Sequence, residues 1–395
     1  MSSAAQVSAT EQATELLTAL VRTDSINPMG GSYTRQEPVE RQVHQVIEEW
    51  LAPVSDRLSI TRQSCSPIHE SLVIRLEGAA EGPAALFESH ADTVPADEWP
   101  DRALQPVLDN GELIGRGACD DKGSLAAMVL ALARLVKEGI TPPRPVVLVC
   151  AGDEEFAQTG IRHFREQSQE QFAYGVFGEP TQLVPVIQHK GTIRWDITVH
   201  GTSAHTSRPE LGRNAVLGMV EVVAALGRYQ DHLQQTWTNR YLTGPLVTVT
   251  MVRGGRTRNA TADECTLAVD FRILPGMEAE SEKQALIDFL AAEIRWELTH
   301  AANQLITPPL NTDPELPFCR QLLATCRTVA GNHLEFRGEP YGTDAAWVSD
   351  LCPAVVLGPG DIAVAHAVDE RIPMDQVVAA TELYSALMRE PFTIQ

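Results

Sequence analysis

The stretch VVLVCAGDEEF, residues 146–156, decides how the rest of the chain is read. Val146 to Cys150 is an unbroken apolar run, as expected of a strand buried on both faces of a parallel sheet. Ala151 and Gly152 end it, and Asp153, Glu154 and Glu155 follow at once. Three adjacent carboxylates at the carboxyl end of a core strand repel one another and lose hydration, so they need compensating positive charge. In an open α/β sheet that edge is also where ligands bind. A lone DEE is more often a solvated turn. The functional reading therefore depends on partners supplied from elsewhere in the chain.

Working outward, Ala84–Ser89 predicts a strand running into HADTVP, and residues 115–123 form a glycine- and acid-rich turn. A helix over 124–137 would bury Leu125, Met128, Val129, Leu132 and Leu135. Beyond the acidic strand come a helix near 160–168 and a short strand, 174–177, running into GEPT. Toward the N-terminus, residues 9–21 and 37–51 carry helical spacing, with Ser8 placed to cap the first, and 71–76 alternates as a strand. Strand and helix in alternation mean a mostly parallel, helix-covered sheet. After about residue 186 the pattern becomes cleanly alternating strands (193–199, 246–252, 265–273) with helices over 214–229 and 280–299. That pattern fits a two-layer α+β unit with one solvated sheet face. Parallel-sheet character returns with a helix over 318–330, a strand over 354–357 and a helix over 374–388. The expected fold is α/β: a helix-flanked catalytic domain in two parts, 1–187 and 304–395, with an inserted α+β lid, 188–303.

Composition narrows the function. At 395 residues the chain can bury a large core, and no apolar run approaches the ~20 residues of a membrane span. The first residues lack the basic start and apolar centre of a signal peptide. Seven scattered cysteines with no Cys-x-x-Cys point to reduced thiols in a cytoplasm, not to a disulfide frame or thiolate zinc site. A formal charge of −21 argues against a nucleic-acid partner.

His90 and Asp92 stand two apart at a strand end, so their side chains leave on one face. That spacing suits a metal-ligating imidazole oriented by an acid. GRGACDDKG places Asp120 where a GxGxxG dinucleotide loop needs its third glycine, and an acid there repels phosphate but bridges cations. Glu179 ends the strand in VFGEPT, and His366 follows the strand in AVVLGPG. Thus His90, Asp120, Glu155, Glu179 and His366 all fall in loops at or beside strand ends, and in a parallel sheet those loops gather on one edge. Two imidazoles and three carboxylates make the mixed nitrogen–oxygen set that binds zinc, with cobalt or manganese as substitutes. Five such ligands with one bridging acid suit two ions ~3.5–4 Å apart. Two divalent cations, three carboxylates and one hydroxide sum to zero charge, so such a site can be buried at little cost. Glu154, beside a ligand but not needed as one, suits a general acid/base.

SHADTVP, GRGACDDKGSLAAM, CAGDEEF, GEPT, HGTSAHTSRPELGRNA, DFRILPG and VAHAVDE occur in the order of the di-zinc amidohydrolase and exopeptidase family. That family includes acetylornithine deacetylase, succinyl-diaminopimelate desuccinylase, aminoacylase and several dipeptidases and carboxypeptidases. The resemblance spans nearly the whole chain, and the segments around 179–191 and 351–366 look most like acetylornithine deacetylase. The segment 341–347 reads more like the family's peptidases, and Asp121 stands where acetylornithine deacetylases usually carry methionine or another residue.

By this resemblance His90 and Glu179 hold one zinc, Glu155 and His366 the other, and Asp120 bridges. Asp92 orients His90, Glu154 is the general acid/base, and His205 polarises the scissile carbonyl, often from the partner protomer of a dimer. Asn259, Arg272 and Thr343 match positions that hold the substrate carboxylate or oxyanion. A salt bridge from Arg272 to Asp270 or another acid is the structural alternative for that side chain.

The expected protein is a cytoplasmic, homodimeric, zinc-dependent hydrolase of a C–N amide bond. Its substrate is a small N-acyl amino acid; a dipeptidase or carboxypeptidase of the same mechanism is the nearest alternative. A non-catalytic metal- or ligand-binding relative is the alternative from a different class.

Overall fold

The computed structural model describes residues 8–331 and 333–393; residues 1–7, the start of the N-terminal stretch discussed above, lie outside the described residues. Two units divide the chain. One comprises Met1–Ile187, Thr312–Arg337 and Thr343–Gln395, the other Gln188–Asn311 and Gly338–Gly342.

In chain order the first unit carries α1 (Ala9–Arg22), α2 (Arg41–Leu51), β1 (Leu58–Ser64), β2 (Glu70–Leu76), β3 (Ala84–His90), β4 (Val107–Asp109), β5 (Glu112–Ile114), α3 (Lys122–Lys137), β6 (Val146–Ala151), α4 (Thr159–Gln167) and β7 (Phe172–Phe177). β8 (Val186–His189) precedes β9 (Gly191–His200), α5 (Ala215–Thr236), β10 (Leu246–Gly254), β11 (Glu264–Ile273), α6 (Ala279–Glu293), β12 (Glu297–His300), β13 (Leu305–Thr307) and β14 (Leu310–Asn311). The chain ends with α7 (Pro317–Ala330), β15 (Arg337–Glu339), β16 (Ala354–Val356), β17 (Arg371–Pro373) and α8 (Met374–Arg389).

The central sheet of the first unit runs β1-β2-β6-β3-β7-β16. β6 is parallel to β3, β3 to β7 and β7 to β16. The other neighbour of β6, β2, is antiparallel, as is β1 beside it. The fold is therefore the expected mostly parallel α/β sheet, with an antiparallel margin. Every residue of β3, β6 and β7 is buried, as strands covered on both faces must be. α3 is buried along nearly its whole length and packs with α1 and α8. α1 is started by a reciprocal capping box between Ser8 and Glu11. α2 begins at Arg41, not at Glu37, because the Val39 amide is drawn to the Ile68 carbonyl, 2.9 Å away.

The second unit is a two-layer arrangement with strand order β10-β11-β9-β12 and antiparallel pairs. Ile193, Trp195, Ile197 and Val199 of β9 face Met219, Val222 and Leu226 of α5 and Leu286 and Leu290 of α6 in one core. α5 runs on to Thr236, beyond the expected end at 229. The expected helix over 280–299 is corrected to two elements, since α6 stops at Glu293 and Glu297–His300 pairs with β9. β13 pairs with β9 as well, which groups residues 304–311 with this unit. Among the described residues no helix is long and apolar enough to cross a membrane.

Candidate metal centre

The parallel registry of β3, β6 and β7 brings three loops to the same sheet edge. His90 lies opposite Ala151, and Glu88 lies opposite Phe177, so His90, the Asp153–Glu155 turn and Glu179 leave neighbouring strand ends. The turn before α3 adds Asp120. Gly117 in that turn has φ +79°, and a Cβ there would sit 2.6 Å from the Thr93 methyl, so glycine is required. His366, at φ +60°, comes from the loop between β16 and β17.

These donors converge. His90 Nε2 is 2.9 Å from Asp120 Oδ1, and His366 Nε2 is 3.1 Å from Asp120 Oδ2. The two oxygens of Asp120 thus face two histidines. His366 Nε2 is also 3.2 Å from Glu155 Oε2. Donor atoms of His90, Asp120 and Glu155 lie within 4.8 Å of one another, as do those of His90, Glu154 and Glu179. Asp92 is fully buried and braces the cluster from behind. It accepts the Glu154 amide at 3.1 Å, the Glu155 amide at 3.4 Å and the Asn27 side-chain amide at 2.8 Å, and its Oδ1 is 3.6 Å from His90 Nδ1. His90 Nδ1 faces the Asp92 carbonyl at 3.0 Å, leaving Nε2 for the centre.

Charge is concentrated here. Burial, with the Asp120 carboxylate nearby, pushes Glu155 up to about 7, and burial lifts Glu154 and Glu179 well above the ordinary carboxyl value. Hydrogen bonds to Asp120 and Glu155 raise His366 to about 10. Crowded acids whose charged form burial disfavours, together with imidazoles and no thiolate, form a donor set suited to borderline divalent ions. The residues therefore fit a metal.

Sequence reasoning missed several members of this region. Glu370 is fully buried and accepts the amides of Gly117, Cys119 and Asp120 at 3.0, 2.8 and 3.0 Å, with Arg116 Nη1 2.6 Å away. Its only advance sign was the acid four residues after His366. Asn27 donates to both Asp92 and Asp153, at 2.8 and 2.9 Å, which gives Asp153 a bracing contact. Gln158 donates to Glu154 at 3.0 Å. Asp344 is buried, and burial pushes it up to about 8.

Thr343, in the first unit, is buried, and its hydroxyl caps the short 3₁₀ turn of Asp344–Val348. His205, Asn259 and Arg272 belong to the second unit. There the loops of His205 and Asn259 meet through the Thr206 amide and the Asn259 carbonyl, 3.0 Å apart. Arg272 Nε donates to Asp270 at 2.7 Å, the salt bridge foreseen as the structural alternative.

Imidazoles and carboxylates gathered at the carboxyl edge of an α/β sheet, with His90 buried and His366 open to solvent, suit a metal-dependent hydrolase. Residues 86–390 match the Peptidase family M20/M25/M40, and the chain belongs to that family. It is 30% identical over 385 residues to the acetylornithine deacetylase of Vibrio atlanticus, covering 95% of this chain and 97% of that one. Among solved structures it resembles the aminopeptidase PepT of Bacillus cereus, with TM-score 0.75, 17% identity and coverage of 96% of this chain and 98% of that one. It also resembles an M20 family metallo-carboxypeptidase of Sulfolobus solfataricus, with TM-score 0.74, 16% identity and coverage of 95% and 98%.

Proposed function

We propose that this protein uses two zinc ions to hydrolyse the C–N amide bond of a small N-acyl amino acid. The observation that carries the reading is Asp120, whose two oxygens face His90 on one side and His366 on the other. His90 and Glu179 would hold one ion, Glu155 and His366 the other, and Asp120 would lie between them. Ions held there would polarise the scissile carbonyl and acidify a water molecule.

Glu154 moves the protons. Its carboxylate takes one from water and delivers it to the departing amine, a task suited to a buried acid whose pKa lies above the ordinary range. Asp92 fixes the His90 ring and, through the Glu154 and Glu155 amides, the acidic turn. His205 is assigned donation to the developing oxyanion. Asn259, Arg272 and Thr343 are assigned the substrate carboxylate or oxyanion; Arg272 would share its guanidinium with Asp270, and Thr343 its hydroxyl with the 3₁₀ cap.

The acyl-amino-acid preference rests on the likeness to acetylornithine deacetylases over nearly the full chain. The partner is proposed to be a second copy of the chain, joined through the inserted unit. The outer strand β10 there exposes Met251 and Val252, and α5 exposes Leu217 and Val220. Cytoplasmic residence agrees with seven cysteines that are all unpaired.

The test is a panel of N-acetylornithine, other N-acetyl amino acids and dipeptides, run with metal analysis on the parent and Glu154→Gln. The variant is expected to keep its metal and lose ~10²–10⁴-fold in kcat. Faster turnover of dipeptides than of every acyl amino acid would move the assignment to a peptidase. No metal-dependent hydrolysis of any member would leave a binding protein.

A further inference from the structure

We infer that Gln158 and Trp347 form a clamp that sets the orientation of the Glu154 carboxylate; this rests on the proposed role of Glu154. Gln158 caps the start of α4 with its backbone in the left-handed region, φ +53°, and its amide donates to the Asp153 carbonyl 2.6 Å away. A residue with a Cβ adopts that conformation only when its surroundings fix it. Its side chain is buried and meets Glu154, Trp347 and Asp344. Nε2 lies 3.0 Å from Glu154 Oε1, and Oε1 lies 2.9 Å from the Trp347 indole Nε1.

The indole removes the ambiguity of the amide. An indole N–H donates and never accepts, so Gln158 must turn its oxygen to Trp347 and its NH₂ to Glu154. One carboxylate oxygen of Glu154 is thereby held, and the other is left for the proton it carries. Trp347 is itself held, with the Arg162 guanidinium 4.9 Å above its ring and its carbonyl accepting from Arg165. Arg162, Arg165 and Gln158 all belong to α4 or its cap, so helix and indole fix each other. Gln158 and Trp347 act on the proposed reaction through Glu154. They are positioning residues, 189 apart in sequence.

Trp347→Phe keeps an aromatic ring beneath Arg162 but deletes the N–H along with part of the fused ring; Gln158→Leu deletes the donor. Each variant, the double variant and Glu154→Gln are compared for kcat, KM, bound metal and melting temperature on the best acyl-amino-acid substrate. Gln158→Leu is expected to lose roughly ten- to hundredfold in kcat with KM and metal content kept. Trp347→Phe loses less, and adds nothing in the Gln158→Leu background because it acts through the same amide. If the two losses multiply as independent effects, or if both single variants turn over like the parent while Glu154→Gln is inactive, the clamp is refuted and the proposed reaction stands. Full activity in Glu154→Gln refutes both. Should Gln158→Leu melt early, Trp347→Phe decides alone: a fall in kcat at unchanged KM supports the clamp, and an unchanged kcat overturns it.

Discussion

At the scale of single residues, the chemistry turns on which atom of each side chain is left available. His205 illustrates this. The Ser207 amide donates to His205 Nδ1 at 3.2 Å, and the Ser207 hydroxyl sits 2.8 Å from the same nitrogen. Nδ1 is therefore the acceptor, and the neutral ring carries its proton on Nε2, the tautomer an oxyanion donor needs. His205→Ala is expected to lower kcat ~10²–10³-fold, as loss of one oxyanion donor does, while metal content stays the same. Equal kinetics in variant and parent on every amide tried would remove His205 from the mechanism. Asp153 shows the opposite case. It sits in the same acidic run as Glu154 and Glu155 but is tied to Asn27 and to Thr159, at 2.9 and 2.7 Å, so it braces the turn. Nothing in DEE itself tells the three acids apart; only their partners do.

At the scale of elements, Glu70 joins three of them. From β2 it meets Arg41 and His44 of α2 and Arg62 of β1, and its side chain is only 3% exposed. Burial alone would raise its pKa, but the hydrogen bonds from His44 and Arg41 outweigh it and hold the carboxyl at about 2, against an ordinary 4.5. A carboxyl lowered on folding stabilises the fold fully above its unfolded value and ceases to do so as pH falls through the folded one. Glu70→Gln is therefore expected to cost about 1.5–3 kcal/mol near neutrality. That difference from the parent shrinks below pH 4.5 and vanishes near 2, read by denaturant unfolding across pH. A constant difference from pH 7 to 2 would contradict it. Elements were legible where their periodicity was unambiguous, as in β6 and α3. The boundary of α6 was not. Leu286, Leu290, Ile294 and Leu298 keep a spacing of four past the helix end, yet Leu298 pairs with Val199 in a strand. Local pattern could not reveal a choice made by a distant partner.

At the scale of the whole molecule, the acids crowded about His90 and the exposed His366 form a charge cluster that divalent ions would relieve. An ion that binds only the folded state at a thousandfold excess over its Kd adds about 4 kcal/mol of stability. Chelation is expected to lower the melting temperature by several degrees and readded zinc to restore it; a melting curve indifferent to both would mean that no stabilising metal is held. The five expected donors could be picked out because each follows an apolar strand or a glycine turn, and the structure brings these residues to one edge. Glu370 and Asn27 were not, because each acts through contacts scores to hundreds of residues away, and Gln158, four residues from Glu154, is fixed by Trp347, 189 residues on. The Glu370 contact also has a bearing on synthesis. β3, β6 and β7 are complete once residue 177 has been made, and four of the five expected metal donors lie within the first 179 residues. The carboxylate that holds the Gly117, Cys119 and Asp120 amides, and the second of the two histidines facing Asp120, follow only after β16. A nascent chain can thus hold β3, β6 and β7 and most of the expected donors before β16, the strand beside β7, exists. The later segments act as a latch: β16 extends the sheet, and the loop of His366 and Glu370 closes onto Asp120.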